Sequence, residues 1–263
     1  MNRFLSKNLI PLLFPVIVMG CTVAERLMHG DIQGAAVEGG TAVVTAGVRT
    51  VVKLAQNTDE VNVSQEYYIG RGVAGNVFMK YKRLDDPALN RYVRLVGDNV
   101  AKASTGVEVK DGKQPYKGYF FAIVDDNQVN AFSAPGGFIF ITKGALRAMQ
   151  TEDELACVLG HEIGHVIDRH GVKYVLKQKN FSIPFETAAE EVAARSPELI
   201  GNLAKQFGGM CGDLAKKAAG GMGTEYEDLA DRMGAKFAAR AGYNPKSMIE
   251  FLSRTHHGED IKE

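Results

Sequence analysis

The sequence predicts an α+β fold that is mainly helical and contains a small antiparallel sheet. Helical patterns are found within residues 64–104, 152–170, 172–219 and 225–241. Three short β-prone runs, at 119–124, 129–133 and 138–141, depart from this spacing and are separated by turn residues. The 263 residues, of which 45% are hydrophobic, suffice for one main domain with a buried core.

The charge balance and the cysteine content argue against two classes of protein, nucleic-acid-binding proteins and disulfide-rich proteins. Lys and Arg number 31 and Asp and Glu also number 31, so there is no net charge to attract nucleic acid. Three cysteines, at positions 21, 157 and 211, are too few for a disulfide framework. Whether Cys157 and Cys211 pair stays open at this point, although a small buried thiol is the simpler interpretation of Cys157.

The first residues have the pattern of an export signal. Arg3 and Lys7 start an apolar stretch, residues 9–19, that is too short to span a bilayer. Residues 18–21, Val-Met-Gly-Cys, resemble a bacterial lipobox, which implies a lipoprotein signal peptide over residues 1–20 and lipidation of Cys21. The alternatives are a conventional signal peptide and an uncleaved anchor. The resemblance implies attachment to the membrane through the N-terminal lipid, on the periplasmic side of the bacterial envelope, and Thr22 favours the outer membrane.

Residues 21–63 are interpreted as a lipid-anchored tether with a short helix, and residues 64–263 as the main domain. An apolar stripe in the tether consists of Val43, Val44, Val48, Val51, Val52 and Leu54. We expect this stripe to dock on the domain rather than on a membrane or a partner. Two helices are expected between residues 64 and 104, the second beginning at Pro87, because proline is favoured in the first turn of a helix.

A well-signalled helix follows the predicted sheet. Thr151 and Glu154 have the form of a capping box, acidic residues fill the first turn, and Gly171 follows the end. The sequence therefore predicts a helix from about Glu152 to His170.

The remaining helices are less sharply marked. Residues 172–219 form a helical region in which Pro184, Pro197 and the pair Gly208-Gly209 are expected interruptions. A further helix is expected over about 225–241, with Gly242 as its stop signal and Pro245 starting the next helix.

The helix predicted over residues 152–170 carries an H-E-x-x-H motif, His161-Glu162-Ile163-Gly164-His165. Residues four apart share one face of a helix, so both imidazoles can bind one zinc ion. Glu162 lies on the adjoining face, where it can act as a general base toward a zinc-activated water. The alternative is a pair of surface histidines on a solvated helix, which the capped and apolar surroundings of the motif disfavour.

A catalytic zinc ion needs a third protein ligand. His170 is expected to face away from the motif, whereas Glu227 lies in a helix whose register is fixed by the glycine and proline that follow it. Asp231, one turn beyond Glu227, shares its face and can hold one zinc histidine through the second ring nitrogen. The residues alone leave an alternative open, in which this acidic run only stabilises the N-terminus of a solvated helix.

These motifs resemble those of the zinc metallopeptidase family that includes HtpX, BepA and the CAAX prenyl endopeptidases. The resemblance covers roughly residues 64–263. Residues 130–142 resemble the strand, turn and strand beside the family's active site, Glu154-Leu155-Ala156 matches its metal helix, and Glu227 with Asp231 matches its E-x-x-x-D motif. Gly223-Thr224 departs from the Ser-Arg that often precedes the glutamate in the family.

The resemblance implies a zincin-like domain with one Zn²⁺ per chain, bound by His161, His165 and Glu227. It also implies that an extended substrate pairs, main chain to main chain, with the strand at Asn130 and Ala131. A plain turn residue is the alternative for Asn130.

A second implication of the resemblance concerns the C-terminus. Thr255-His256-His257 resembles the family's Thr-His-Pro, with His257 in place of the proline. His256 is therefore a candidate latch on the zinc ion or a stabiliser of the oxyanion, and His257 is a weaker candidate. A solvated tail is the alternative.

The resulting hypothesis is a zinc-dependent endopeptidase that hydrolyses unfolded or misassembled envelope proteins. The residues predict the metal-assisted hydrolysis, whereas the substrate class and outer-membrane assembly machinery as a candidate partner follow only from the resemblance. The alternative is a non-catalytic, chaperone-like or assembly-factor lipoprotein with a structural metal. Such a protein would have no use for Glu162 as an unliganded base.

Overall fold

A computed structural model describes residues 61–107, 109, 112–177 and 197–256 of the chain. In these residues eight α-helices surround a three-stranded sheet, which confirms the predicted α+β class. None of the described helices is long and apolar enough to cross a bilayer. Cys21, the lipobox and the apolar stripe lie outside the described residues, so the boundaries of the signal peptide and tether remain predictions.

The helices begin and end close to where the capping and breaking residues place them. They are α1 Val63–Lys80, α2 Pro87–Ser104, α3 Lys143–Ala148, α4 Glu152–Ile167, α5 His170–Lys177, α6 Pro197–Ala219, α7 Thr224–Arg240 and α8 Ser247–His256. Helix α6 runs through Gly208 and Gly209, where the sequence predicts an interruption. A glycine destabilises a helix by only about 1 kcal/mol, which the packing of a long helix can offset.

The sheet consists of β1 Phe120–Val124, β2 Ala131–Ala134 and β3 Phe138–Thr142, with a 3-10 turn at Pro135–Gly137 between β2 and β3. The strand order is β1-β3-β2. Strand β3 pairs antiparallel with β2 and parallel with β1, so the prediction of a wholly antiparallel sheet is wrong. All five residues of β3 are buried. This burial agrees with the central position of β3, because a central strand is covered at both edges and on both faces.

The sheet separates two hydrophobic clusters. Alternate residues of β3 enter opposite clusters: Phe138 and Phe140 pack with α1, α5 and α6, whereas Ile139 and Ile141 pack with α2, α4, α7 and α8. This alternation follows from the two-residue period of a strand. The second cluster anchors the two helices that carry the predicted metal ligands.

Helix α4 is fixed firmly at its start. The Thr151 hydroxyl accepts a hydrogen bond from the Glu154 N–H at 3.2 Å, as the capping box predicts. The buried Glu154 carboxylate instead accepts bonds from the Gln150 N–H, at 2.9 Å, and from Arg254 of α8, at 2.6 Å. The first turn of the motif-bearing helix is thereby connected to the C-terminal helix.

Candidate metal centre

Helices α4 and α7 approach each other at two glycines. A Cβ atom at Gly234 would lie 2.5 Å from the backbone nitrogen of His161, and one at Gly160 would lie 2.9 Å from the Gly234 carbonyl oxygen. Only the absence of both side chains permits this backbone contact. Because Glu227 lies about two turns before Gly234, the contact brings the Glu227 carboxylate to the H-E-x-x-H face of α4.

Three side-chain atoms from these helices converge. Nε2 of His161 lies 3.0 Å from Nε2 of His165 and 3.1 Å from Oε2 of Glu227, and His165 Nε2 lies 3.4 Å from the same oxygen. A tetrahedral zinc ion with bonds of about 2.0–2.1 Å separates its ligand atoms by about 3.3–3.4 Å. The two nitrogens and one oxygen therefore fit three corners of such a site.

The electrostatics at this point favour a cation. Burial opposes a charged His161, but hydrogen bonds to Asp231 and Glu227 and the Glu162 charge raise the pKa of His161 to about 10. Burial likewise opposes a charged Glu227, yet hydrogen bonds with both histidines and with the Met222 N–H hold the pKa of Glu227 below its usual range. A positive charge is therefore stabilised at the point where the two imidazole rings approach the Glu227 carboxylate.

Two neighbours fix the orientation of these side chains. Nδ1 of His161 lies 2.8 Å from the Asp231 carboxylate, which can only accept, so this nitrogen carries a hydrogen and Nε2 is the ring nitrogen left to bind a metal. The second oxygen of Glu227 accepts a 2.8 Å hydrogen bond from the backbone N–H of Met222. Sequence reasoning anticipated the contact of Asp231 but missed Met222, because a backbone donor leaves no side-chain signal.

The structure corrects the expectation for His170. Helix α4 ends at Ile167, and Arg169 adopts a left-handed conformation with φ 59° before α5 begins at His170. The chain therefore turns back, and Nδ1 of His170 lies 2.6 Å from Nδ1 of His165. The prediction that the helix continues to His170 and that this residue faces away from the motif is wrong.

Buried polar contacts hold this break in place. The Arg169 guanidinium donates to the Glu66 carboxylate of α1 at 2.8 Å and also to the Val61 carbonyl oxygen. The other oxygen of Glu66 accepts the Gly136 N–H of the β2–β3 turn at 3.3 Å. Glu66 thus connects the helix break to the sheet.

The remaining predicted residues fall into two groups. Glu162 is only 5% exposed and lies next to His161, while Asn130 immediately precedes β2, the edge strand, and donates its amide to the Ala219 carbonyl oxygen at 2.9 Å. His256 is the last residue of α8, but its side chain and all of His257 lie outside the described residues. Roles for these residues stay predictions.

A pocket joins the edge strand to the histidines. Its lining includes Ser133 and Ala134 of β2, together with His165, His170 and Met222. The outer edge of β2 has no strand partner among the residues that the structure describes. An extended chain at this edge would therefore pass close to the converging ligand atoms.

A helix with H-E-x-x-H, joined by a carboxylate from a second helix beside an edge strand, defines the metallopeptidase class of protein. The model of peptidase family M48 matches residues 87–259, well over half of the sequence. The chain belongs to this family, whose peptidases depend on a metal ion, and the resemblance drawn from the motifs is confirmed.

Curated relatives extend the comparison. The β-barrel assembly-enhancing proteases of Escherichia coli (strain K12) and Yersinia pestis are each 27% identical to the chain, over 197 and 195 residues. Each match covers 74% of this chain and 38% of the relative. The mitochondrial metalloendopeptidase OMA1 of Arabidopsis thaliana is 29% identical over 124 residues, 47% of this chain and 23% of that protein. The chain thus matches less than half the length of these relatives.

Proposed function

We propose that the protein is a zinc-dependent endopeptidase. The convergence of His161, His165 and Glu227 atoms within 3.0–3.4 Å of one another carries this proposal. Two imidazole nitrogens and one carboxylate oxygen are the donor set of many catalytic zinc sites and leave a fourth position open. When bound there, Zn²⁺ supplies a Lewis acid that polarises a carbonyl group and makes an attacking water more acidic.

Glu162 performs the proton transfers in this mechanism. Its buried carboxylate lies beside His161, on the side of α4 adjoining the two ligand histidines. It accepts the proton of the attacking water and later delivers a proton to the leaving amine. A structural metal site needs no such base, which argues against the non-catalytic alternative.

Substrate binds as an added strand along β2 in this proposal. The Thr142 N–H donates to the Asn130 carbonyl oxygen at 3.0 Å, so in the alternating antiparallel pattern Ala131 and Ser133 direct their backbone groups away from β3. Main-chain pairing with these groups holds a peptide without reading its side chains. The proposed endopeptidase should therefore accept substrates of many different sequences.

The cellular assignment rests on the sequence and on the names of the relatives. The lipobox-like residues ending at Cys21 support a periplasmic lipoprotein attached to the outer membrane. The name β-barrel assembly-enhancing protease supports unfolded or misassembled envelope proteins as substrates and the outer-membrane assembly machinery as a partner.

Replacing Glu162 by Gln tests the catalytic proposal. The amide cannot accept the proton of water, so cleavage of a denatured reporter protein should fall about 10²–10⁴-fold while the zinc content stays at one ion per chain. Glu225→Gln, the same change at an exposed position in the first turn of α7, is the matched control and should cleave at the wild-type rate. Undiminished cleavage by zinc-loaded Glu162→Gln protein would reject the mechanism.

Replacing Ser133 by Pro tests the substrate edge. Proline removes the outward N–H of β2 but none of the bonds to β3, so the fold should persist while KM for the reporter rises about tenfold. Ser133→Ala removes only the hydroxyl and should keep the wild-type KM. Equal KM values for the Pro and Ala variants would show that substrate does not pair with this edge.

A further inference from the structure

The two ligand histidines are supported in different ways. His161 contacts the carboxylate of Asp231, whose side chain is half exposed, whereas His165 contacts another imidazole, His170, which is completely buried. Both contacts involve the ring nitrogen that faces away from the converging ligand atoms. His170 therefore occupies, for His165, the place that Asp231 occupies for His161.

The hydrogen positions in this pair follow from the chemistry of the rings. Nε2 of His165 points to His161 and Glu227, where it needs a free lone pair to bind a metal. The hydrogen of neutral His165 then lies on Nδ1, 2.6 Å from Nδ1 of His170. His170 must accept this hydrogen bond with a lone pair on Nδ1, which places its own hydrogen on Nε2.

The surroundings of His170 suit this tautomer. Its Nε2 lies 2.7 Å from the carboxylate of Asp168, although the N–H bond is not well directed at that oxygen. Asp168 is also paired with Lys173 at 2.6 Å, which keeps the carboxylate ionised and in place. A negative oxygen beside Nε2 favours the ring form with the hydrogen on that nitrogen.

Packing fixes the His170 ring at this position. The break at Arg169 turns the chain so that the ring faces α4, and the ring of Tyr226 lies against it with centroids 4.5 Å apart. Tyr226 immediately precedes Glu227 in α7. His170 thus touches one proposed metal ligand directly and the neighbour of another.

We propose that His170 is a positioning residue, which fixes the tautomer and ring orientation of His165 for metal binding by accepting the hydrogen on its Nδ1. This inference rests on the proposed function, because it concerns how the chain holds the zinc ion. His170 itself contacts neither metal nor substrate. Its loss should weaken metal binding by the 10- to 100-fold that is typical when such a supporting partner is removed.

The test measures zinc affinity rather than catalysis. Apoprotein is titrated with Zn²⁺ in competition with a chromogenic chelator, and the visible absorption of the Co²⁺ form reports the geometry of the site. His170→Asn places an amide oxygen near the position of Nδ1, whereas His170→Leu and His170→Phe fill the space without an acceptor. Thermal unfolding of each apoprotein reports its stability, and Asp231→Asn gives the corresponding loss at His161.

A positioning role and a packing role of His170 predict opposite orders of zinc affinity among the variants. With a positioning role, the Leu and Phe variants bind zinc 10- to 100-fold more weakly and shift the Co²⁺ spectrum, while Asn stays within about threefold of wild type. With a packing role, the apolar variants bind as well as wild type or better than Asn, and this result would overturn the inference. Absence of stoichiometric zinc binding by the wild-type protein would instead overturn the proposed function itself.

Discussion

Cys157 and Cys211 are both buried and both free. Burial raises the pKa of the Cys157 thiol to about 11 and that of Cys211 to about 12. The thiolate is the reactive form of cysteine, and a raised pKa makes it scarce at neutral pH. The question that the sequence left open is thus answered by the structure, in which these residues form no disulfide.

Alkylation checks this arrangement. At pH 8 the folded protein should leave both cysteines unmodified by iodoacetamide, because the pH lies about three units or more below the raised pKa values and burial blocks access. After unfolding in guanidinium both should be modified, as peptide mapping by mass spectrometry can show. Modification at the same rate before and after unfolding, or a linked peptide, would contradict the structure.

How well each residue of the candidate site could be predicted depends on whether neighbouring or distant residues in the sequence fix its position. His161, Glu162 and His165 could be found from spacing alone because one helical turn fixes their relation. Glu227 and Asp231 needed the resemblance, since no local rule connects two helices that are distant in sequence. His170 was missed because the turn at Arg169 requires a left-handed conformation that arginine rarely adopts.

Among the elements, the crossing of α4 and α7 determines whether the site can form. The crossing depends on the facing glycines at positions 160 and 234, and a third glycine, Gly164, would place a Cβ atom 3.2 Å from the Cα of Ala230. At these glycines the backbones of the two helices are therefore in close contact. Any added side chain must separate the histidines from Glu227.

Gly234→Ala is the direct test of this interface. The new methyl group meets the His161 backbone, so the variant should lose about 1–3 kcal/mol in the free energy of unfolding and bind zinc more weakly than wild type. Gly75→Ala is the matched control, because a Cβ atom at Gly75 in α1 meets nothing within 4 Å. It should stabilise the protein by up to about 1 kcal/mol in urea unfolding. Unchanged stability and zinc affinity of Gly234→Ala would contradict the close crossing.

The helices and strands also show where sequence patterns stop being informative. The start of α2 at Pro87 and the cap of α4 at Thr151 are local features and could be predicted. The sheet order could not, because β1 and β2 are consecutive in sequence yet lie on opposite sides of β3. The strand order depends on which strand is stabilised most by burial of both its edges and both its faces.

For the molecule as a whole, a bound ion would act as a cross-link. It would join α4 to α7 and so close the long segment between His165 and Glu227. A ligand that binds only the folded chain stabilises it, and the stabilisation grows with the logarithm of the ligand concentration once this exceeds Kd.

Thermal unfolding with and without metal measures how much a bound ion stabilises the folded chain. At a zinc concentration about 100 times Kd the stabilisation is about 2.7 kcal/mol, which should raise Tm by about 5–10 °C over chelator-treated protein. Mg²⁺ should give no rise, because it prefers oxygen ligands in an octahedral arrangement. Glu227→Ala should reduce the zinc-dependent rise sharply, and an undiminished rise in this variant would place the stabilising ion elsewhere.

The proposed substrate edge at β2 has a consequence for which polypeptides could bind there. The strand is four residues long and is bounded by Asn130 at one end and Pro135 at the other. A polypeptide whose backbone amide groups already form hydrogen bonds in its own helices or sheets would have none free to pair with such a short strand. If substrate pairs with β2 as proposed, selection depends on the conformational freedom of the substrate chain, and a native protein should remain intact in a mixture with its unfolded form.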